Sequence, residues 1–438
     1  MTRRAFVTSL SAAAALRPML VQGRAPRVDG AALRRRLEEL SVFGRPDGGT
    51  FASGVSRVAY SDADVQGREY VMKLMGAAGL QPRIDPAGNI FARRAGSDPQ
   101  QRPILFGSHI DSVPSGGNFD GDLGSLSALG AIEACDAAGI RTRHPLEIVV
   151  WAHEEGVAFG RGLAGSRIVA GDIKPADLEQ TWNGIRRADG IRKIGGNPDR
   201  IMDARVSKDA YHAYLELHIE QGGNLDRSGT PLGVVEGIVA IDRYDAVVTG
   251  FANHAGTTPM GERQDALLAA SQLALAVRDV VTSEPGRQVG TVGHLEIAPN
   301  APNVVPGTAK MTIELRDLSS QKLVQLAEAI QARARDIAAS TRTQIDIRRV
   351  SENPSALASS DVQSAIVRAA ESLKLESVRM PSGAGHDAQM MAQLMPMGMI
   401  FVPSVAGVSH SPKELTRWED CTRGADTLLQ AILQLDRS

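Results

Sequence analysis

Short apolar runs alternate along the chain with stretches in which hydrophobic side chains recur at helical spacing. Apolar runs of strand length lie at 104–106, 147–151, 214–217 and 399–402. Around them the spacing predicts helices over 31–40, 62–79, 123–138 and 361–373, the last with Ser360 placed to cap its first turn. Strand-like runs that alternate with helices predict an α/β domain built on a mainly parallel sheet.

The middle of the chain follows a different order of elements. Strands are predicted over 246–250, 289–297, 310–315 and 344–350, with helices over 265–281 and 320–341. This β-α-β-β-α-β succession is the split βαβ, or ferredoxin-like, arrangement. We therefore predict an α+β domain at 240–350 that is inserted into a larger domain, whose two parts span 29–239 and 351–438.

The N-terminus carries a possible export signal. Residues 2–7, which include Arg3 and Arg4, resemble a twin-arginine motif, and a short, mildly apolar stretch follows as far as Leu16. This pattern predicts a leader at 1–28 and a periplasmic location. Arg17-Pro18 ends the stretch, and no clear cleavage site follows. A leader with chance arginines, on a cytoplasmic protein, therefore stays the alternative.

Charge and cysteine content exclude several classes of protein. The 438 residues include 48 Lys and Arg against 50 Asp and Glu, a net charge of −2, which argues against a nucleic-acid-binding protein with a broad basic face. Past the N-terminus no apolar run approaches the roughly 18 residues of a membrane span. Cys135 and Cys421 are too few for a disulfide framework or a cysteine-based zinc site. Histidines and carboxylates would therefore have to hold any metal ion.

Four of the predicted strands lead into residues of this kind. They are followed by His109, by the sequence His153-Glu154-Glu155, by His218 and, after a loop rich in Gly and Ser, by His410. In an open α/β sheet, ligands bind beyond the carboxyl ends of the strands. Because His, Asp and Glu are the ligands that a zinc-type site uses when cysteine is absent, we expect a metal site at this edge.

Two aspartates extend the candidate site. Asp120 lies in the glycine-rich loop 115–122 and is the natural carboxylate to bridge two metals. Asp111 lies two residues after His109, on the same side of an extended chain, where it could hydrogen-bond the ring nitrogen that faces away from the metal. Glu154 and Glu155 are adjacent, so one can ligate while the other acts as general base.

Each of these signals is weak by itself. A lone His at a strand end is usually structural, a Glu-Glu pair is usually solvated, and an Asp among glycines usually belongs to a turn. Val157 occupies the position of the second His in an H-E-x-x-H sequence, which excludes that helical metalloprotease motif. The metal site is favoured because all the pieces occur together and in order along the chain.

Seven motifs, spread from about residue 31 to the end, give the chain a specific resemblance. They include Gly-Ser-His-Ile-Asp at 107–111, Gly-Asn-Phe-Asp-Gly at 117–121 and His-Glu-Glu-Gly at 153–156. The others lie at 217–222, 253–260, 382–388 and 407–412. In these motifs the chain resembles the zinc-dependent amidohydrolases that include N-carbamoyl-L-amino-acid hydrolase, allantoate amidohydrolase and beta-ureidopropionase. That group is a branch of the aminoacylase and carboxypeptidase superfamily of di-metal enzymes.

The resemblance implies a role for each matched residue. It assigns the first metal to His109, Asp120 and His218, and the second to Asp120, Glu155 and His410. Glu154 would be the catalytic base, and the two divalent ions would be zinc, with manganese, cobalt or nickel as alternatives. The larger domain would be catalytic and the inserted one a lid and dimerisation domain. Its expected substrate groups are His254, which also stabilises the oxyanion, Asn303 and Arg316, and Gln221 would touch substrate from the larger domain.

The activity implied is hydrolysis of the linear ureido amide of an N-carbamoyl-L-amino acid, which gives the amino acid, carbon dioxide and ammonia. The substrate is a small carboxylate, and the protein is expected to be a homodimer. Alternatives are an allantoate amidohydrolase or beta-ureidopropionase, an N-acyl-amino-acid amidase or dipeptidase, and a non-catalytic binding protein. Without the resemblance, Arg316 would be interpreted as a surface ion pair with Asp317. The role of His386 and the subunit from which His254 acts stay open.

Overall fold

A computed structural model describes residues 25–437 of the chain. The predicted leader at 1–28 lies outside the described residues except for its last four. Over 25–437 the chain forms a larger α/β unit around a nine-stranded sheet and a smaller unit around a four-stranded sheet, each with its own hydrophobic core. In this part of the chain no helix is long and apolar enough to cross a membrane.

The nine-stranded sheet is mixed rather than mainly parallel. Its spatial order is Arg83–Ile84, Ile90–Arg94, Leu146–Trp151, Ile104–His109, Ala213–Ile219, Met397–Val402, Leu232–Ile238 and Ala356–Leu357, with Ser377–Ser382 also paired to Leu232–Ile238. The three central strands, Ile104–His109, Ala213–Ile219 and Met397–Val402, are mutually parallel. Leu146–Trp151 is also parallel to Ile104–His109, whereas Ile90–Arg94 beyond it and Leu232–Ile238 on the other side pair antiparallel with their neighbours. The mixed α/β class is confirmed, and the expectation of a mainly parallel sheet was too narrow.

Helices cover the larger sheet. They are Gly30–Leu40, Asp62–Ala77, Asp122–Ala137, Ala164–Ala170, Arg187–Lys193, Asn224–Ser228, Ser360–Ser372, Ala388–Met391 and Trp418–Leu435, with 3-10 turns at Phe51–Ser53, Pro175–Glu179, Pro198–Ala204 and Val405–Gly407 and a small ribbon of Thr181–Trp182 with Ile185–Arg186. The buried helix Trp418–Leu435 packs between Asp122–Ala137 and Ser360–Ser372. Together these helices close the main hydrophobic core over one face of the sheet.

Among the described α-helices, four begin at a side-chain N-cap bond, made by Asp29, Ser61, Asp265 and Ser319. The Ser61 hydroxyl accepts a hydrogen bond from the Asp64 backbone N–H, as an N-cap should. Ser360 was expected to cap the helix that follows it. Instead it is the first helical residue, and Ser359 precedes the helix without a side-chain cap bond. Burial of the apolar face of this helix therefore fixes its start better than the cap does.

The smaller unit has the split βαβ order. Its antiparallel strands run Val289–Ala298, Thr308–Asp317, Ala240–Thr249 and Gln344–Asn353 across the sheet. The helices Ala266–Thr282 and Ser320–Thr341 pack on one face and bury its core. A ribbon of Asn253–His254 with Val304–Val305 and a 3-10 turn at Met260–Glu262 complete it. The last strand continues three residues past the predicted boundary at 350, and the larger sheet resumes at Ala356.

Candidate metal centre

Three adjacent parallel strands deliver the histidines to one edge of the larger sheet. His109 is the last residue of Ile104–His109, and His218 lies one residue before the end of Ala213–Ile219. His410 follows Met397–Val402 after a loop with a 3-10 turn. Asp120 lies in the glycine-rich loop, separated by Gly121 from the start of the helix Asp122–Ala137. The convergence predicted from the strand ends therefore follows from the order of strands in the sheet.

Asp120 lies at the centre of the cluster. Its Oδ1 is 3.1 Å from His218 Nε2 and 3.4 Å from His109 Nε2, and its Oδ2 is 3.4 Å from His410 Nε2. Glu155 Oε2 is 3.3 Å from the same atom of His410. Two overlapping groups result, each with its possible ligand atoms within 4.8 Å of one another: His109, Asp120 and His218, and Asp120, Glu155 and His410. These are the two sets that the resemblance implies.

The two buried histidines point Nε2 into the cluster, where the Gly121 backbone N–H also donates to His218 Nε2 at 3.3 Å. His109 Nδ1 lies 3.0 Å from the Asp111 carbonyl oxygen, and His218 Nδ1 lies 2.9 Å from the Ile219 carbonyl oxygen. A carbonyl only accepts, so Nδ1 of each neutral ring carries the proton and Nε2 presents its lone pair. This is how ligating imidazoles are held in metal sites.

The electrostatics also fit bound cations. Burial, followed by the charge of Asp120, raises the pKa of Glu155 to about 8. Burial opposes ionisation of Asp120 as well, but the three surrounding histidines hold its pKa well below the usual range. Glu155 Oε1 is buried and has no hydrogen-bond partner among the described residues. A buried carboxylate pair of this kind is costly unless positive charge compensates it, which a divalent ion does.

Asp111 occupies the expected place but makes different bonds. The backbone carbonyl of Asp111, and not its carboxylate, contacts the His109 ring, since the carboxylate oxygen lies 3.8 Å from Nδ1. The carboxylate instead accepts the backbone N–H groups of Glu154 at 3.0 Å and Glu155 at 3.2 Å. His109 pairs with Trp151 on the adjacent parallel strand, so Asp111, two residues further on, lies beside the segment that follows Trp151. Asp111 therefore positions the glutamate pair.

The two glutamates differ in what they contact. Glu155 belongs to the second ligand group, whereas Glu154 belongs to neither and has its Oε2 3.8 Å from His109 Nε2. Burial, with smaller contributions from neighbouring carboxylates, raises the pKa of Glu154 well above its usual value. A carboxylate beside the ligands that favours its protonated form is suited to accept a proton from water and to pass it on.

Two glycines in the Asp120 loop are required by close approach. A Cβ on Gly117 would lie 2.0 Å from Glu414 Oε1, and a Cβ on Gly121 would lie 2.5 Å from the His109 ring. Gly121 also has a φ of +66°, which favours glycine. The glycine-rich sequence thus lets the loop lie against the ligands on both sides of Asp120.

Glu414 is a functional residue that the sequence reasoning missed. Its Oε1 accepts the backbone N–H groups of Phe119 at 3.0 Å and Asp120 at 3.1 Å, and its Oε2 accepts the Ser409 hydroxyl at 2.8 Å. The side chain thereby joins the Asp120 loop to the loop that carries His410. It lies 294 residues from Asp120 in sequence, so no local pattern reveals the contact.

We expect Glu414→Ala to weaken metal binding by about 10–100-fold, because partners that orient ligands commonly contribute that much. Competition with a chromogenic chelator measures the affinity directly. Glu419→Ala is the matched control, since Glu419 is exposed and Arg423 is its only ion-pair partner within residues 25–437. Equal metal affinity of the two variants would show that Glu414 does not hold the loops for the metal.

Gln221 and His386 also lie in the cluster. Gln221 Nε2 donates to Asp120 Oδ2 at 2.6 Å and lies 3.5 Å from His410 Nε2, so its side chain contacts the shared carboxylate and a ligand of the second group. His386 is buried, its ring packs 4.5 Å from that of His218 between centroids, and its Nε2 lies 2.9 Å from the Ser382 hydroxyl. His386 therefore supports a ligand ring from behind.

The structure places the three expected substrate groups on the smaller unit. His254 and Asn303 lie side by side at its ribbon, where the Ala255 N–H donates to the Asn303 carbonyl at 2.9 Å. His254 Nδ1 accepts the backbone N–H groups of Gly256 at 3.0 Å and Thr257 at 3.2 Å. The proton of the neutral ring must then lie on Nε2, which leaves an exposed N–H donor.

Arg316 reaches from the smaller unit to the larger one. Its NH1 donates to the Gly383 carbonyl at 2.5 Å, and its Nε donates to Glu314 Oε1 at 2.8 Å. The ion-pair partner is thus Glu314 and not the adjacent Asp317, because residues two apart on a strand share a face. The guanidinium therefore lies beside the 382–388 loop, which also carries His386.

Comparison with known proteins agrees with this geometry. Residues 105–434 match the model of Peptidase family M20/M25/M40. The chain is 38% identical over 409 residues to the N-carbamoyl-L-amino acid amidohydrolase of Geobacillus stearothermophilus, with 93% of this chain and 99% of that protein covered. It is 34% identical to the allantoate amidohydrolase of Escherichia coli (strain K12), with 92% and 97% covered. The crystal structure of a hydantoinase/carbamoylase family amidase from Burkholderia multivorans gives a TM-score of 0.88 at 34% identity, covering 94% of this chain and 99% of that one. The chain therefore belongs to peptidase family M20/M25/M40.

Proposed function

We propose that the protein hydrolyses the linear ureido amide of an N-carbamoyl-L-amino acid, giving the amino acid, carbon dioxide and ammonia. The observation that carries the proposal is the pair of ligand groups that share Asp120, with Glu154 beside them and outside both. That arrangement serves hydrolysis by water. The similarity to an N-carbamoyl-L-amino acid amidohydrolase over nearly the full length of both proteins supports the choice of bond.

Each residue has a distinct part in the proposed reaction. Glu154 accepts the proton of the attacking water and returns it to the leaving nitrogen. His254 offers its Nε2–H to the oxygen that becomes negatively charged at the carbonyl. Arg316 binds the substrate carboxylate with the guanidinium N–H groups that Glu314 and Gly383 leave free.

Two divalent ions fit the ligand groups. His109, Asp120 and His218 would hold one, and Asp120, Glu155 and His410 the other. We propose zinc, with manganese, cobalt or nickel able to replace it, because mixed His and carboxylate sites accept all of these. When bound, such ions polarise a carbonyl and lower the pKa of water.

The main alternative function is hydrolysis of allantoate. The relative from Escherichia coli supports it, and allantoate offers the same combination of a ureido group and a carboxylate. An N-acyl-amino-acid amidase lacks support of that kind. A non-catalytic binding protein is disfavoured because all five ligand positions are filled.

A substrate panel tests the proposal. Ammonia release is measured with the metal-reconstituted protein on N-carbamoyl-L-amino acids, allantoate, ureidoglycolate and 3-ureidopropionate. Release of the free amino acid is measured on N-acetyl-L-amino acids, because their hydrolysis gives acetate and no ammonia. We expect the highest kcat/KM for an N-carbamoyl-L-amino acid, and no turnover after prolonged chelation. A higher kcat/KM for allantoate would identify allantoate, and not an N-carbamoyl-L-amino acid, as the preferred substrate. Turnover of N-acetyl-L-amino acids alone would contradict the proposal that the protein is a ureido hydrolase.

We further propose a homodimer formed through the smaller unit. The edge strand Val289–Ala298 exposes Val289 and Leu295, and the helix Ala266–Thr282 exposes Leu268 and Leu275. An edge strand with apolar side chains is a ready surface for pairing with a second chain. Sedimentation velocity is expected to give a dimer for the native protein and a monomer for Leu275→Glu, and a native monomer would contradict the proposal.

Export through a twin-arginine leader is the proposal for the N-terminus, and the motif at 2–7 supports it. A reporter fused after residues 1–30 is expected in the periplasm, and Arg3→Lys/Arg4→Lys is expected to retain it in the cytoplasm. Export that survives the double substitution, or no export of the native fusion, would contradict this location.

A further inference from the structure

Three arginines converge on a small cavity outside the metal centre. The cavity has a volume of about 70 Å³, and its polar lining consists of Arg161, Arg167, Arg187, Asp172, Asp177 and Gln180. Since one ordered water needs roughly 10–15 Å³ measured in this way, the space admits a small polyatomic ligand. None of these residues belongs to either ligand group of the metal centre.

The lining of this cavity carries three guanidinium groups against two carboxylates, those of Asp172 and Asp177. Arg161 NH2 and Arg167 NH1 donate to the same oxygen of Asp172, at 2.8 Å and 2.6 Å. Arg187 makes no ion pair with any described residue; its NH2 donates to Gln180 Oε1 at 2.8 Å, and its guanidinium lies 5.0 Å from the centre of the Phe159 ring. One carboxylate therefore serves two of the three guanidinium groups, and an amide serves the third.

Arg187 is the most unusual of the three. Arg187 is only 6% exposed, and its buried Nε has no hydrogen-bond partner among the described residues. Burial, to which the charge of Arg161 adds, lowers the pKa of Arg187, while Tyr60 and Asp177 oppose that shift. An arginine stays charged at neutral pH nonetheless, so a buried cation without an ion-pair partner among the described residues lines the cavity.

We propose that this cavity binds a small oxyanion of the size and charge of phosphate. Planar guanidinium groups donate paired hydrogen bonds to such oxygens, and several of them together recognise phosphate. Asp172 holds Arg161 and Arg167 in place by a single oxygen, and both arginines keep further N–H groups for a ligand. The anion would supply a negative charge to Arg187, whose guanidinium donates only to the neutral amide of Gln180 among the described residues.

The cavity is connected to the Glu154 segment through one helix. Arg167 lies on Ala164–Ala170, and backbone N–H groups at the start of this helix donate to the carbonyls of residues 152–154 at 2.7–3.0 Å: Leu163 to Glu154, Ala164 to His153 and Gly165 to Ala152. An anion held by Arg167 would restrain this helix. The oxyanion site is inferred from the residues that line the cavity, and it does not depend on the proposed hydrolysis.

Titration of the metal-loaded, full-length protein with inorganic phosphate tests the site, with chloride at equal ionic strength as the reference. Isothermal calorimetry gives the dissociation constant, and thermal unfolding is expected to shift upward with phosphate, since a ligand of the native state stabilises it. We expect Arg187→Met and Arg161→Gln each to weaken phosphate binding roughly tenfold to a hundredfold, the loss of one charge-assisted hydrogen bond.

The matched control is Arg192→Met on the same helix as Arg187, because Arg192 is exposed and paired with Asp189 and Asp199. Phosphate bound at the metals instead would show the same dissociation constant in all variants and would overturn the proposal, as would the absence of phosphate binding by the native protein. Arg161→Gln decides the matter if Arg187→Met does not fold, because the Arg161 side chain is 53% exposed.

Discussion

Glu154→Gln is expected to lower kcat by about 10²–10⁴-fold, the contribution typical of a general base, while both metals stay bound. The amide keeps the shape of the side chain and loses only the ability to accept a proton. Glu154 is 9% exposed and lies outside both ligand groups, so the fold and the metal content have no reason to change. Initial rates and elemental analysis of the same preparation measure the two quantities together.

Glu155→Gln is the internal control for that prediction. Glu155 Oε2 belongs to the second ligand group, and the charge of its carboxylate is part of what a cation neutralises. We therefore expect Glu155→Gln to lose metal at this position and to lose activity as a consequence. Loss of metal in Glu154→Gln, with retention in Glu155→Gln, would mean that the roles of the two residues are exchanged.

The positions of the metal-site residues could be predicted because they follow from periodicity. His109 and His218 end apolar runs, and strands of a sheet that run parallel end at one edge. In such cases a local pattern and a simple rule of topology suffice. The glycine-rich composition of the Asp120 loop is visible in the sequence, but the neighbours that Gly117 and Gly121 approach, Glu414 and His109, are visible only in the structure.

Contacts across long sequence distances could not be predicted in this way. Glu414 reaches Asp120 only because a returning loop passes behind it, and its neighbours in sequence indicate nothing of this. The strand Ser377–Ser382 is not predicted from the sequence, because Arg379 and Pro381 interrupt its apolar pattern. Its pairing with Leu232–Ile238 shifts register at that proline. Arg187 is a further case, since a charged residue in a helix is ordinarily exposed.

Arg316 illustrates the same limit in the substrate site. In the sequence it is one arginine beside an aspartate on a strand. In the structure it contacts the larger unit at Gly383, and two of its five N–H donors are used by described residues. The remaining donors form a planar edge, the geometry that binds a carboxylate through two parallel hydrogen bonds.

We expect Arg316→Lys to lower kcat/KM for a carboxylate substrate by roughly two orders of magnitude, since breaking a hydrogen-bonded charge pair costs about 2–5 kcal/mol. Lysine keeps the charge but cannot form the paired bonds. Arg243→Lys is the matched control, because Arg243 lies on the adjacent strand and donates to the other oxygen of Glu314 at 2.6 Å.

The decisive comparison uses an analogue whose carboxylate is replaced by an amide. Native protein and Arg316→Lys should turn over this analogue at similar rates, because it never engages the guanidinium. If the change from acid to amide lowers kcat/KM equally in both proteins, another group binds the carboxylate.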